Sequence, residues 1–589
     1  MARFTTRPEI DGTFGVVATT HWIASAVAMG ILERGGNAFD AGCAAAFTLQ
    51  VVEPHLNGPG GDVPVILYDV KKGEVEVICG QGPAPAGATI DHYRSLGLDL
   101  VPGTGLLATC IPGAFDTWML MLRDYGTMRP RDVLEAAIGY ARHGYPLVER
   151  ITDTIKTVES LFREHWASSA AVYLPGGAVP KPGDLFTNVK LAETYERILR
   201  ECEGGTREQE IERARKAWSQ GFVAEAIDRY CRTEAVFDVT GQDMATWTAT
   251  VEAPIHYDYG RYRVFKPSTW SQGLACLQQL ALLKGFDLDG IDVAGPDFVH
   301  LVTEAAKLAF ADREAFYGDP AFVDVPIETL LSEAYNAERR KLIGDTASLE
   351  LRPGTIAGAG GKVDARVASG KRVAVGATGA GEPTVGDIDT DPNGVTRGDT
   401  VHFDIIDRWG NMVSSTPSGG WLQSSPVIPE LGFCLGSRAQ MFWLDETHPA
   451  ALVPGKRPRS TLTPTIAFRD GAPYLAWGSP GGDQQDQWTA QFFLRHAHAN
   501  MNLQEAIDAP AWHSEHFPIS FWPRTSRPGV IVVESRFPQA TIDELRRRGH
   551  EVEVGGAWSE GRLTGARKEG VRLKAGANPR GMQGYAVGR

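Results

Sequence analysis

A polar, glycine-rich run that stops abruptly at a β-hairpin is the feature that most constrains this chain. From about Gly354 to Asp399 the sequence holds Gly-Ala-Gly-Gly, Asp-Pro-Asn-Gly and Thr-Arg-Gly-Asp, a composition that predicts a flexible linker. At Thr400 the texture changes. Thr400-Val401-His402-Phe403-Asp404-Ile405-Ile406 reads as a strand, Asp407-Arg408-Trp409-Gly410-Asn411 as a tight turn, and Met412-Val413-Ser414-Ser415-Thr416 as the returning strand. A linker therefore delivers a threonine to the start of a buried hairpin. Two readings stand at this point. One is a surface loop entering an ordinary hairpin. The other is chemical: a threonine hydroxyl is a weak nucleophile until a base sits beside it. A cut before Thr400 would supply that base as the residue's own α-amino group, with a reference pKa near ~8.

Composition narrows the partners. The 589 residues carry a net charge of −14, which argues against nucleic acid and anionic membrane surfaces. The amino end lacks a signal-peptide apolar stretch, and no run has the length of a membrane helix. Seven scattered cysteines form no Cys-x-x-Cys pair, so neither a disulfide framework nor a cysteine metal site is suggested. The chain reads as a reduced, cytoplasmic protein.

Along the chain, helices are expected at about Trp22 to Leu32 and Ala38 to Val52, the second rich in Ala, Gly and Cys. Glu53-Pro54-His55-Leu56-Asn57-Gly58-Pro59-Gly60-Gly61-Asp62 follows, a loop whose glycines either line a site or merely turn the chain. Strands are expected at Val63 to Tyr68 and Glu74 to Cys79, and long helices at Ala114 to Tyr125, Pro130 to His143 and Gln209 to Cys231. Further helices are expected at Gly273 to Lys284 and Asp297 to Tyr317. Beyond Thr400, strands near 464–469 and 472–478 precede helices near 485–498, 503–508 and 538–549. Apolar hairpins flanked by helices suggest stacked sheets with helical layers outside.

Common catalytic signatures are absent: no Gly-x-Ser-x-Gly elbow, Walker loop or His-Glu-x-x-His. His496-Ala-His498 and His513-Ser-Glu-His516 lack an obvious further metal ligand, so surface or capping roles fit them better. Asp483 and Asp486 form an acid pair that reads more simply as charged turn residues.

A set of motifs then recurs in a recognisable order: Gly35-Gly36-Asn37-Ala38-x-Asp40-Ala41; Val52-Glu53-Pro54-His55 with Gly60-Gly61; Glu304-Ala305-x-Lys307-x-Ala309-x-Ala311-Asp312-Arg313; Gly318-Asp319-Pro320; Asp399-Thr400-x-His402; Asp407-x-x-Gly410-Asn411; Gly455-Lys456-Arg457-Pro458; and Gly478-Ser479-Pro480-Gly481-Gly482. In order and spacing the chain resembles the γ-glutamyltransferase family of N-terminal-nucleophile hydrolases over nearly its whole length, as a divergent member akin to oxamate amidohydrolase and acylase-type relatives. The resemblance implies an α+β fold, a four-layer αββα sandwich, made as one precursor. It implies a cut between Asp399 and Thr400 that leaves a large subunit, 1–399, and a small subunit, 400–589. These stay associated as one αββα unit, and a dimer of such heterodimers is left open.

By the same resemblance Thr400 is the nucleophile, Ser418 the second hydroxyl that supports its amine, and Gly481 and Gly482 the backbone donors of an oxyanion hole. No cofactor or metal is implied. Substrate recognition departs from the family. Gln81 stands where the family has an arginine for the glutamate α-carboxylate. Trp443, three residues after Gln440, stands where it has an aspartate for the α-ammonium. A neutral amide cannot replace a bidentate arginine without large loss. Ser460 and Thr461 match a hydroxyl pair that binds the carboxylate, and Trp421 and Gln423 fall beside the same pocket. The expectation is a self-processing amidohydrolase for a small, carboxylate-bearing, non-glutamyl amide of the oxamate type. The alternatives are a genuine γ-glutamyltransferase or glutathione hydrolase, and a non-catalytic binding protein on the same fold.

Overall fold

The structure, a computed structural model, describes residues 4–234, 239–363 and 400–589. Asp399 and most of the expected linker, from 364 onward, lie outside the described residues.

Two seven-stranded antiparallel sheets stack face to face. In one, the order is Tyr585–Gly588, Gly15–Thr19, Phe403–Asp407, Met412–Ser415, Val63–Asp69, Glu74–Gly80 and Thr250–Glu252. In the other it is Ile10–Gly12, Arg572–Ala577, Thr564–Glu569, Ala472–Gly478, Thr465–Arg469, Tyr262–Lys266 and Ile255–Tyr259. Val16, Ala18, Ile66, Ile406 and Met412 meet Ile466, Ala476, Ala566 and Ala575 between the sheets. The helices Trp22–Glu33, Ala38–Val52, Ala114–Asp124 and Pro130–His143 cover the outer face of the first sheet. Gly273–Leu283, Pro296–Phe316 and Gln485–His498 cover the second. This is the expected four-layer αββα arrangement.

Strand alternation explains what the hairpin presents. Phe403, Ile405 and Val413 join the helical side, while Ile406 and Met412 join the inter-sheet layer. Period-two geometry thus sends His402, Asp404 and Ser414 between the sheets. The turn is built by one carboxylate. Asp407 Oδ1 accepts from the Trp409, Gly410 and Asn411 amides at 2.9 to 3.1 Å. Its Oδ2 accepts from Asn411 Nδ2 and from the Ala38 amide, at 2.8 and 2.9 Å. The Asp407-x-x-Gly410-Asn411 motif therefore both closes the hairpin and fastens it to the first turn of the buried Ala38–Val52 helix.

Two expectations shift. The regular strand begins at Phe403 rather than Thr400, and Thr400 makes an isolated bridge to Ser418. The helix expected over 209–231 is two helices, Arg207–Ser219 and Phe222–Thr233. They break at Gly221, where a Cβ would lie 2.9 Å from the Ala217 carbonyl oxygen. Gly15–Thr19 and the carboxy-terminal strands gave no clear signal. Thr564–Glu569 reads Thr-Gly-Ala-Arg-Lys-Glu, a strand only because Ala472–Gly478 and Arg572–Ala577 pair on either side of it.

Candidate active site

Thr400 and Ser418 are both buried, and Thr400 Oγ1 donates to Ser418 Oγ at 3.1 Å. The Val401 amide donates to the Pro417 carbonyl at 3.0 Å, which sets this register. Ser418 is held from its other side by Asp62. The Asp62 amide donates to the Ser418 carbonyl at 2.8 Å and the Ser418 amide to the Asp62 carbonyl at 3.0 Å. The glycines of the 53–62 loop turn out to be contact residues. A Cβ at Gly419 would lie 2.5 Å from Asp62 Oδ1, and Gly58, Gly60 and Gly61 press on the backbone of 418–420 and 434–435 too closely for any side chain. Gly419 and Gly420 also have positive φ, 71° and 64°.

Behind Thr400, His402 is clamped in a buried polar chain. Its Nδ1 lies 2.8 Å from Thr416 Oγ1 and its Nε2 3.1 Å from Asp404. Asp404 also accepts from Ser414 Oγ at 2.7 Å and Thr564 Oγ1 at 2.6 Å. An Nε2–H donated to the carboxylate leaves Nδ1 to accept from Thr416. Gly478, the last residue of its strand, lies so close to the His402 ring that a Cβ would collide with it. The segment Ser479-Pro480-Gly481-Gly482 therefore leaves its strand beside His402, which is two residues along the chain from Thr400. Gly481 has φ 114° and a Cβ there would lie 2.7 Å from Trp488; one at Gly482 would lie 2.6 Å from Phe521. Neither position admits another residue without displacement.

The remaining expected residues fall into two groups. Gln81 is buried; its Nε2 donates to the Gly82 carbonyl at 3.1 Å and its Oε1 has no protein partner. Backbone bonds from Ala84 to Lys456 and from Gly455 to Ala84 join the segment after Gln81 to the one leading into Ser460 and Thr461. Thr461 Oγ1 is buried and unpartnered, whereas Ser460 Oγ accepts from the Leu462 amide. Gln440 and Trp443 are framework. Gln440 Nε2 donates to the Gly103 and Ser437 carbonyls at 3.0 Å, and its Oε1 accepts from the Trp522 amide at 3.0 Å. Trp443 is buried and donates Nε1–H to Glu314 at 3.2 Å. Trp421 is buried under the Arg438 guanidinium, and Gln423 Nε2 donates to the His55 carbonyl at 3.1 Å.

Several residues here were not singled out from sequence. Arg438 pairs with Asp62 at 3.0 Å. It shares the short turn Arg438–Met441 with Gln440, so one turn links the nucleophile side to the 518–524 loop. Asp483 is not a surface turn residue: it is buried, ion-paired with Arg313, and accepts from the Ser520 amide and hydroxyl at 2.7 and 2.6 Å. Asp486 is likewise buried against Lys266 at 2.9 Å. The histidine pairs are structural. His496 bonds Tyr474 and the Met501 carbonyl, His498 bonds Tyr259 and Asp289, His513 bonds Glu560 and Glu515, and His516 bonds the Glu350 carbonyl. Among the described residues one cluster has a metal-like donor set, His300, Glu304 and His550. His300 Nε2 lies 2.7 Å from the Gly344 carbonyl oxygen and its Nδ1 2.8 Å from His550 Nε2, while Lys307 Nζ donates to Glu304 at 2.6 Å.

The gamma-glutamyltranspeptidase family profile matches residues 24–588. The chain belongs to this family. It is 31% identical to the glutathione hydrolase-like YwrD proenzyme of Bacillus subtilis (strain 168), covering 98% of this chain and 99% of the relative. Among solved structures, LmbA2991HD matches with 54% identity, a TM-score of 0.92 and complete coverage of both chains. A cephalosporin acylase from Bacillus halodurans matches with 27% identity and a TM-score of 0.84, covering 100% of this chain and 98% of that one. Membership of the gamma-glutamyltranspeptidase family makes this chain an amide hydrolase or acyltransferase of the self-processing type. The breadth of the relatives' names, from glutathione hydrolase to cephalosporin acylase, means that membership does not select the acyl group.

Proposed function

We propose that this chain is the precursor of an N-terminal-threonine amidohydrolase acting on a small, carboxylate-bearing, non-glutamyl amide of the oxamate class. The observation that carries the reading is the buried Thr400–Ser418 hydroxyl pair at 3.1 Å, with Gly481 and Gly482 following the strand of the facing sheet that ends against His402. Cleavage between Asp399 and Thr400 yields 1–399 and 400–589 and frees the Thr400 amine. That amine takes the Oγ proton, directly or through water, as Oγ attacks the substrate carbonyl. The Gly481 and Gly482 amides receive the oxyanion. Collapse of the adduct expels the amine product, which takes up the proton, and leaves an acyl ester on Thr400 that water hydrolyses. The halves stay joined, because Phe403–Asp407 pairs with Gly15–Thr19 and Met412–Ser415 with Val63–Asp69 across the junction.

The non-glutamyl part of the reading rests on Gln81 and on Trp443, a neutral amide and a buried ring in place of charged anchors. The glutathione hydrolase-like relative favours the second reading, a γ-glutamyl hydrolase or transferase. Intact mass and amino-terminal sequencing, beside a Thr400→Ala variant, test the nucleophile. Fragments of 399 and 190 residues, absent in the variant, are expected; a single uncut chain would favour a non-catalytic binding protein. Parallel assays with oxamate and a chromogenic γ-glutamyl anilide test the substrate, and robust anilide turnover would overturn the reading of Gln81 and Trp443.

A further inference from the structure

Beside the glycine pair lies a buried cluster whose charges do not balance. Arg459 donates Nη1–H to Glu314 at 2.9 Å and Nη2–H to Ser520 Oγ at 3.1 Å. Arg313 pairs with Asp483 and lies 3.6 Å from Glu314. Arg524 sits with its guanidinium 4.6 Å over the Trp443 ring and donates Nη2–H to the Gln440 and Phe442 carbonyls at 3.0 and 3.1 Å. All five charged groups are almost completely buried. Burial alone would raise the Glu314 carboxyl, yet Arg459 and Arg313 hold it well below the usual carboxylate range. His448 beside it is kept neutral, pulled down to about 4 by burial. Among the described residues the cluster thus sets three guanidiniums against two carboxylates.

Arg524 is the unmatched member. It makes no ion pair among the described residues, and its Nε and Nη1 are buried with no hydrogen-bond partner. An unpaired buried charge is costly, and such charges are normally paired or used. Its backbone is also left-handed, φ 62°, a conformation that costs a non-glycine residue about 1 kcal/mol or more. Its place in the chain is informative. Asp483 directly follows Gly482, Arg459 directly precedes Ser460 and Thr461, and Phe521, three residues before Arg524, stands against Gly482. The surplus charge therefore sits on the loop that packs Phe521 against Gly482, in the same cluster as Arg459, the residue before Ser460 and Thr461. It packs on the ring of Trp443, where the family resemblance placed an acid.

We propose that Arg524 is the substrate's carboxylate anchor, its free Nε–H and Nη1–H receiving the acid group that Gln81 cannot hold. This rests on the amidohydrolase reading above and names its specificity residue. The ligand class is a small monoamide of a dicarboxylic acid, with the carboxylate at the guanidinium and the amide carbonyl at Thr400.

The test measures kcat and KM for oxamate and for oxamide, its neutral counterpart of similar size, together with oxalate affinity. It uses self-processed wild-type, Arg524→Gln and Arg524→Lys enzymes. The wild type is expected to prefer oxamate. In Arg524→Gln, KM for oxamate should rise about 10- to 100-fold with a smaller change in kcat, as loss of hydrogen bonds to a charged group predicts. Oxalate affinity should fall in parallel, and Arg524→Lys should recover part of both. A wild-type enzyme that ignores oxalate or prefers oxamide overturns the carboxylate reading, and this assignment with it. A wild type that prefers oxamate, with a glutamine variant that keeps the preference, overturns the Arg524 assignment alone. If the glutamine variant fails to fold, a structure of the wild-type enzyme with oxalate decides. Oxalate on the Arg524 guanidinium supports the assignment; oxalate held elsewhere, with Arg524 sealed against Trp443, overturns it.

Discussion

The Thr400 and Ser418 hydroxyls stand 3.1 Å apart in a site closed to solvent, and Ser418 is clamped through both backbone groups by Asp62. A direct hydrogen bond between rigid partners makes their coupling testable. Ser418→Ala should leave the fold intact and slow both self-cleavage and amide turnover by about 10- to 100-fold, the cost of one hydrogen bond at a reacting group. Cleavage half-life by gel and kcat on the cleaved fraction would check it. Unchanged rates would remove Ser418 from the mechanism.

Gly481→Ala places a methyl group 2.7 Å from Trp488 in a backbone region that disfavours side chains, φ 114°. Turnover should fall by about 10² or more as the amides turn from the developing oxyanion, and Tm should also drop. Parallel measurement separates the two. Lost stability with full kcat would leave the glycine a packing role only.

Asp404 accepts from His402, Ser414 and Thr564 with no solvent contact. Asp404→Asn keeps the shape but points an amide at groups that donate. Urea denaturation should show a loss of about 1–3 kcal/mol, and self-cleavage should slow because His402 is two residues from Thr400.

Burial raises the Glu53 carboxyl from 4.5 to about 7, although Thr20 and Gln583 donate to it. The native state therefore holds a proton that the unfolded chain releases first. The stabilisation is complete below about 4.5 and is lost as pH rises through about 7, roughly 3 kcal/mol over that window. Glu53→Gln should flatten the fall of Tm between pH 5 and pH 8 and raise Tm at pH 8. An unchanged slope would place the pH dependence elsewhere.

Local sequence specified much of the site. The Asp407 turn and the helix Ala38–Val52 depend on turn chemistry and periodicity within a few residues, and both are in the structure. The glycines at 58–61 and 481–482 were visible as motifs, but sequence could not separate turning the chain from a close approach. That distinction needed the opposing backbone of 418–420 and the rings of Trp488 and Phe521.

The sequence by itself determined the family and, through that resemblance, the αββα layering, and it marked Thr400 as the candidate nucleophile. Only the tertiary structure decided that Ser418 meets Thr400, that Asp483 is a buried partner of Arg313 170 residues away, and that Arg524 adds an unmatched charge beside the glycine pair. The reason is physical. Helix, strand and turn preferences act between neighbours along the chain, whereas burial, pairing and surplus charge depend on which distant segments share one low-dielectric space.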